Sequence, residues 1–292
     1  MKEVRSPLEE KSRLTETHTP VWLWMLIIYG ILVVGQGALR KWVLPGLATP
    51  LYVAKDTVLI GAFVLLSLQR TPRLPAPLRQ TWLPLLWGGL AFVVLLQAFN
   101  LNIPSVAVGV LGVRSYLVYS VLLILLPLAL EKVKRPKRLL LVTSLGLIVP
   151  VLLLGMYQYW QPVGSWVNQY VADAASPVGV LSRPRIVGTF SYIGGMGAFL
   201  TFSLFFGLGI LLSGLRYRDR FYQILGGGVL GLALVVAPMN GSRSVVLGPL
   251  VPLPLVLYVL LRRHRGMAVG ASLILLAGVG GFVASESAWV TQ

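Results

Sequence analysis

The chain has 292 residues, 56% of them apolar and 12% charged, with 25 Lys and Arg against 9 Asp and Glu for a formal net charge of +16. A soluble domain carries roughly 25% charged residues, so water is excluded as the main solvent and a lipid bilayer is implied. The basic surplus then reads as membrane topology and not as nucleic-acid binding, because Lys and Arg collect in loops that stay cytoplasmic.

With no Cys, the chain cannot form a disulfide, a thiol nucleophile or a thiolate metal site. Two His and nine carboxylates, few of them near one another, make a metal centre unexpected, and no cofactor is implied.

Residues 1–19 read as a polar cytoplasmic tail. The first apolar stretch lacks a small-residue cleavage site and reads as a retained signal-anchor. Apolar stretches of spanning length follow at 20–39, 51–68, 82–99, 106–130, 139–159, 190–213, 222–239, 245–261 and 267–284. The predicted fold is therefore all-α, a polytopic transmembrane helical bundle of about nine spans occupying 20–285. The longest connection, about 160–189, carries Pro162, Trp166, Tyr170, Pro177 and Pro184. It exceeds what chain reversal needs and is a candidate binding loop, or else a segment resting on lipid headgroups.

Direction follows from charge. With the N-terminus inside, Lys2 to Arg13, Arg70 to Arg79, Lys132 to Arg138, Arg216 to Arg220 and Arg262 to Arg265 all fall on the inner side, accounting for 18 of the 25 basic residues. The positive-inside rule is then obeyed at every alternate loop. Seven basic residues remain outside: Arg40, Lys41, Lys55, Arg114, Arg183, Arg185 and Arg243.

Each of these invites an explanation. The stretch from Tyr116 to Leu130 is only fifteen residues long, about 22 Å of helix against a hydrocarbon core of about 30 Å, so that helix must begin before Arg114. A charge at that depth costs at least about 2 kcal/mol unless it is paired, snorkels or lines a wet cavity. An ion pair with Asp56 would satisfy it, and so would an anion site. Arg243 lies in the turn Asn240-Gly241-Ser242-Arg243-Ser244, and Arg183 and Arg185 flank Pro184 ahead of a span. Arg40 and Lys41 precede Trp42, which also suits an interfacial anchor. Together they describe an outward electropositive pocket. Arg suits phosphate because its planar fork bonds two oxygens and keeps its charge, so a lipid-linked pyrophosphate fits both charge and depth.

Three elements carry a resemblance. Gly37-Ala38-Leu39-Arg40-Lys41-Trp42, followed by Pro45, Pro50 and Lys55-Asp56, is similar to the first outer loop of O-antigen polymerase- and ligase-like membrane proteins. Arg185-x-x-Gly188-Thr189-Phe190 resembles a second family element, and Gly241-Ser242-Arg243-Ser244 before Leu247-Gly248 a third. Their order and spacing make the combination more specific than any one of them. Two departures stand out. Ser191-Tyr192-Ile193-Gly194-Gly195 replaces an expected Pro-Asn pair, and His18 and His264 fall on the cytoplasmic side, where neither can be the family's catalytic His. The expectation is an N-terminal fragment, with 286–292 beginning a periplasmic loop.

The resemblance implies a GT-C-like fold in a bacterial inner membrane, with its active face periplasmic or extracellular. It implies metal-independent glycosyl transfer from a polyprenyl-pyrophosphate-linked glycan, such as one on undecaprenyl pyrophosphate, to a glycan or lipid acceptor in lipopolysaccharide or other polysaccharide synthesis. Arg114, Arg185 and Arg243 are the expected pyrophosphate ligands, with Arg183, Arg40 and Lys41 beside them. Two alternatives are a transporter of a small anion, using breaks at Gly226 to Gly228, Pro252 and Pro254, and a non-catalytic subunit that binds a lipid-linked glycan.

Overall fold

The computed structural model describes residues 20–69, 83–100, 102, 104–171, 183–243 and 245. The N-terminal tail, the middle of the long outer loop, both His residues and all but Val245 of the last two predicted spans lie outside them. The described residues form helices and no strand: α1 (Val21–Ala38), α2 (Ala48–Gln69), α3 (Leu83–Ala98), α4 (Val106–Leu117), α5 (Leu122–Glu131), α6 (Pro136–Thr143), α7 (Val149–Trp160), α8 (Ile193–Tyr217) and α9 (Arg220–Val236).

Six continuous helical stretches are long and apolar enough to cross a bilayer: Val21–Val43, Pro45–Gln69, Val106–Glu131, Pro136–Trp160, Ile193–Tyr217 and Arg220–Asn240. The third predicted span is present as α3, whose 16 residues rise about 24 Å, short of a full hydrocarbon core. The chain is thus a multi-pass helical membrane protein, with six helical stretches able to cross among the described residues where nine were expected for the whole chain.

The distribution of side chains suits lipid. Leu68, Phe99, Val106 and Ile224 are each more than 75% exposed, whereas Gln158, Asn168, Ser203 and Asn240 are fully buried. Apolar outside and polar inside is the arrangement that a hydrocarbon solvent favours.

Proline explains several boundaries. Pro45 and Pro136 each open a helical stretch, where the missing N–H would have had no partner in any case. Pro150 follows a π-helical turn at Ser144–Ile148. A wider turn there accommodates the ring and the lost bond to the carbonyl four residues back.

The chain divides into two compact units, residues 1–33 with 49–134 and residues 34–48 with 135–292. In the first, Trp22, Leu26 and Tyr29 on α1, Leu59, Ala62 and Leu66 on α2, and Leu125 and Ala129 on α5 make one buried core. Their three- and four-residue spacing puts each set on a single helix face.

In the second unit, Met196, Leu200 and Leu204 on α8 and Val229, Ala233 and Val236 on α9 share a core with Ile148, Val151 and Leu152. α8 and α9 pack antiparallel along glycines: Gly207 faces Leu230, Gly226 faces Leu211 and Gly214 faces Gln223. Small residues let two backbones approach closely, the usual basis of helix association in lipid.

Between these helices Arg218 takes the left-handed conformation, and Asp219 caps α9 by accepting from the Phe221 N–H at 2.9 Å. Asp219 also accepts from Lys137 Nζ at 2.7 Å. That bond, then the Phe221 N–H, holds the Asp219 carboxyl below its ordinary range. A carboxyl pKa lowered by folding stabilises the fold above the unfolded value near 4 and loses that contribution as pH falls through the folded value. Melts taken between pH 5 and pH 3 should therefore show a small acid loss in the wild type that Asp219→Asn lacks.

Candidate functional site: a cation-lined loop

In the second unit, residues 183–191 form a loop that bears Arg183 and Arg185 and is reached by Arg40 and Lys41. α1 does not end at Ala38 but continues as a π-helical turn over Leu39–Val43, closed by the Leu44 N–H on the Leu39 carbonyl at 2.7 Å. The span predicted to stop at residue 39 therefore carries Arg40 and Lys41 within its helix. Consecutive residues of a regular helix diverge by about 100°, yet here both reach the same loop. Arg40 Nη1 donates to Ser191 Oγ at 3.0 Å, and Lys41 Nζ donates to the Gly188 carbonyl at 2.8 Å.

Gly37 makes this approach possible. A Cβ there would run into the Thr189 carbonyl and lie 2.7 Å from Phe190 Cα. Lys41 is buried, and its other partner is the face of Trp42, 4.4 Å away. Lys41 thus meets one carbonyl and one ring, and among the described residues no carboxylate.

On the opposite flank of the loop, Arg185 donates from Nε to the Asn240 carbonyl at 3.2 Å and from Nη2 to the Gly241 carbonyl at 2.7 Å. Gly241 has φ +65 and packs against the Arg185 side chain. The same turn bears Arg243, which is exposed. Arg183 lies 5.2 Å over the Trp160 ring, and a guanidinium on an aromatic face keeps its charge available.

Two buried amides hold the loop in shape. Gln158, fully buried on α7, donates from Nε2 to the Val167 carbonyl at 2.8 Å and to the Gly188 carbonyl at 3.1 Å. Its Oε1 accepts from the Val187 N–H at 3.2 Å and the Gly188 N–H at 2.7 Å. Gly188 itself has φ +55, a conformation that favours glycine. Asn240 donates to the Ile186 carbonyl at 3.0 Å, and the Ile186 N–H donates to the Met239 carbonyl at 3.4 Å. Asn168 binds the far side of the connection, donating to the Pro162 carbonyl at 2.9 Å. Neither Gln158 nor Asn168 was singled out from the sequence, although an amide within Leu152-Leu153-Leu154-Gly155-Met156-Tyr157-Gln158 is a polar group at membrane depth and so a marker of buried partners.

Of the six residues expected to bind pyrophosphate, Arg40, Lys41, Arg183, Arg185 and Arg243 all belong to this unit. Arg114 belongs to the other unit, where it is ion-paired with Asp56. Among the described residues of the second unit the one carboxylate is Asp219, which is engaged by Lys137 beyond the far end of α8 from the loop. That helix has 25 residues, about 38 Å of rise. Among the described residues no group of His, Cys, Asp and Glu is arranged to hold a metal. No family model, curated protein or solved structure matches the chain.

Proposed function

We propose that the loop at residues 183–191 binds the pyrophosphate of a polyprenyl-linked glycan, and that the protein serves transfer of that glycan at the outer face of a bacterial inner membrane. The observation that carries this reading is that Arg40 and Lys41 reach a loop that itself bears Arg183 and Arg185, held by the buried amides of Gln158 and Asn240 and tied by Arg185 to the turn that bears Arg243.

The chemistry follows from the residue types. Pyrophosphate is already a good leaving group, so a catalyst has chiefly to stabilise charge that grows as the sugar–oxygen bond breaks. Side chains fixed before the reaction do this without reorganising. Arg185 is fixed at both Nε and Nη2. The buried Thr189 Oγ1, on the same loop, has no hydrogen-bond partner and is a candidate donor to a phosphate oxygen. Arg114 belongs to the first unit and stays outside this reading. An acceptor hydroxyl on a growing glycan or a lipid core would attack the anomeric carbon, and a general base from outside the described residues would take its proton.

Arg185→Ala and Arg243→Ala, each assayed with a lipid-pyrophosphate-linked glycan donor, should each lower transfer by about a hundredfold, the usual effect of removing one fixed charge-stabilising donor. Undiminished transfer in both would overturn the proposal.

A further inference from the structure

The first unit holds a second charged cluster that the proposal above does not use. Lys55 and Asp56 are adjacent on α2, both buried, eight residues or so into the helix, and Arg114 is eight residues into α4. At 1.5 Å per residue both positions lie about 12 Å from the starts of their helices, inside stretches long and apolar enough to cross a bilayer. Charged side chains at that depth are costly, and they mark ligand or ion sites more often than scaffolding.

The partners are specific. Asp56 Oδ1 accepts from Lys55 Nζ at 3.1 Å and from the Tyr119 hydroxyl at 2.9 Å. Asp56 Oδ2 accepts from Arg114 Nε at 2.6 Å, and Arg114 Nη2 pairs with the same oxygen. Lys55 Nζ also donates to the Tyr119 hydroxyl, and Arg114 Nη1 to the Tyr52 hydroxyl at 2.8 Å. Tyr52 lies under the guanidinium at 4.3 Å, and Tyr119 under the ammonium at 4.5 Å.

Two cations thus share one carboxylate, and among the described residues Asp56 is the only acid that either touches. The cluster carries one net positive charge, with the Lys55 side chain 10% and that of Arg114 17% exposed. An uncompensated charge in so dry a place calls for a counter-anion. Asp56 uses both oxygens on the two cations, while Lys55, with three N–H groups, spends two of them on Asp56 and Tyr119.

We infer that Lys55 and Arg114, with Tyr52 and Tyr119 around them, form an intramembrane site for one singly charged phosphate group. A free phosphate monoanion and a phospholipid phosphodiester both present that charge and those oxygens. The site lies wholly in the first unit and does not depend on the cation-lined loop.

The test measures melting of the full chain in a phosphate-free maltoside detergent, titrated in one arm with inorganic phosphate and in the other with phosphatidylglycerol. Lys55→Met leaves Asp56 neutralised by Arg114, so this variant should fold. It should raise the half-saturating concentration of the effective ligand at least tenfold, whereas Lys55→Arg should keep the wild-type response. Asp56→Asn raises the net charge and should tighten binding several-fold. Stabilisation in the first arm alone identifies free phosphate as the ligand, and in the second arm alone a lipid headgroup. If Lys55→Met responds to both titrants as the wild type does, the cluster is a structural ion pair and the inference fails. Because Lys55 and Asp56 belong to the first unit and the loop at 183–191 to the second, glycan transfer can be lost through Arg185→Ala while this response persists, which separates the two proposals.

Discussion

Gln158→Leu should destabilise the protein by about 3 to 6 kcal/mol. The side chain is fully buried and makes four hydrogen bonds. Leu fills a similar volume but strands the Val187 N–H, the Gly188 N–H and the Val167 carbonyl, each at about 1 to 3 kcal/mol for a buried polar group left without a partner. The Gly188 carbonyl retains Lys41 and adds little.

Melting in detergent measures the total effect, and the loop can be followed separately. Because the chain has no Cys, Ser191→Cys places a single thiol on the loop, where Arg40 now meets the Ser191 hydroxyl. Its labelling rate should rise in the Gln158→Leu background. A melting point and a labelling rate both unchanged by Gln158→Leu would mean that the amide does not hold the loop.

The sequence made the helices legible because lipid imposes long apolar runs, and the boundaries of five predicted spans agree with the described helices to within a few residues. It misplaced the end of the first. Leu39-Arg40-Lys41-Trp42-Val43 reads as loop because two consecutive charges end an apolar run, yet the π-helical turn continues the helix through them. A local pattern does not contain that turn, which depends on Gly188 and Ser191 some 150 positions away. The positive-inside rule drew Arg40, Lys41, Arg183, Arg185 and Arg243 together from charge alone, and all five fall in the second unit. The pairing of Arg114 with Asp56 was legible as one option beside snorkelling and an anion site, and the contact at 2.6 Å shows that the pair forms. Gln158 was missed for the reason the fold needs it: within a span it looks like a tolerated polar residue until its four hydrogen bonds, to Val167 nearby and to Val187 and Gly188 some thirty positions on, are known.

The closest helix contact supplies the remaining large effect. Gly226→Ala should cost up to about 3 kcal/mol, because the added methyl would collide with the Leu211 amide nitrogen and lie 2.8 Å from Leu211 Cα and 2.9 Å from the Gly207 carbonyl. These are backbone atoms, so relief requires α8 and α9 to separate, and overpacking of this kind costs about 1 to 3 kcal/mol. Gly207→Ala meets the Leu230 amide nitrogen at 2.7 Å and should behave similarly.

The two positions face each other along one seam, so once one methyl has moved the helices apart the other costs less. The double variant should therefore fall well short of the sum, as substitutions in contact generally do. Gly227→Ala and Gly228→Ala are the controls. Nothing lies within 4 Å of a methyl at either position, and exchanging Gly for Ala in a helix interior is worth up to about 1 kcal/mol in the stabilising direction. A Gly226→Ala melt that matches Gly227→Ala would show that α8 and α9 do not pack along these glycines. Additive losses at Gly207 and Gly226 would show that the two contacts yield independently, and that the seam is not a single rigid interface.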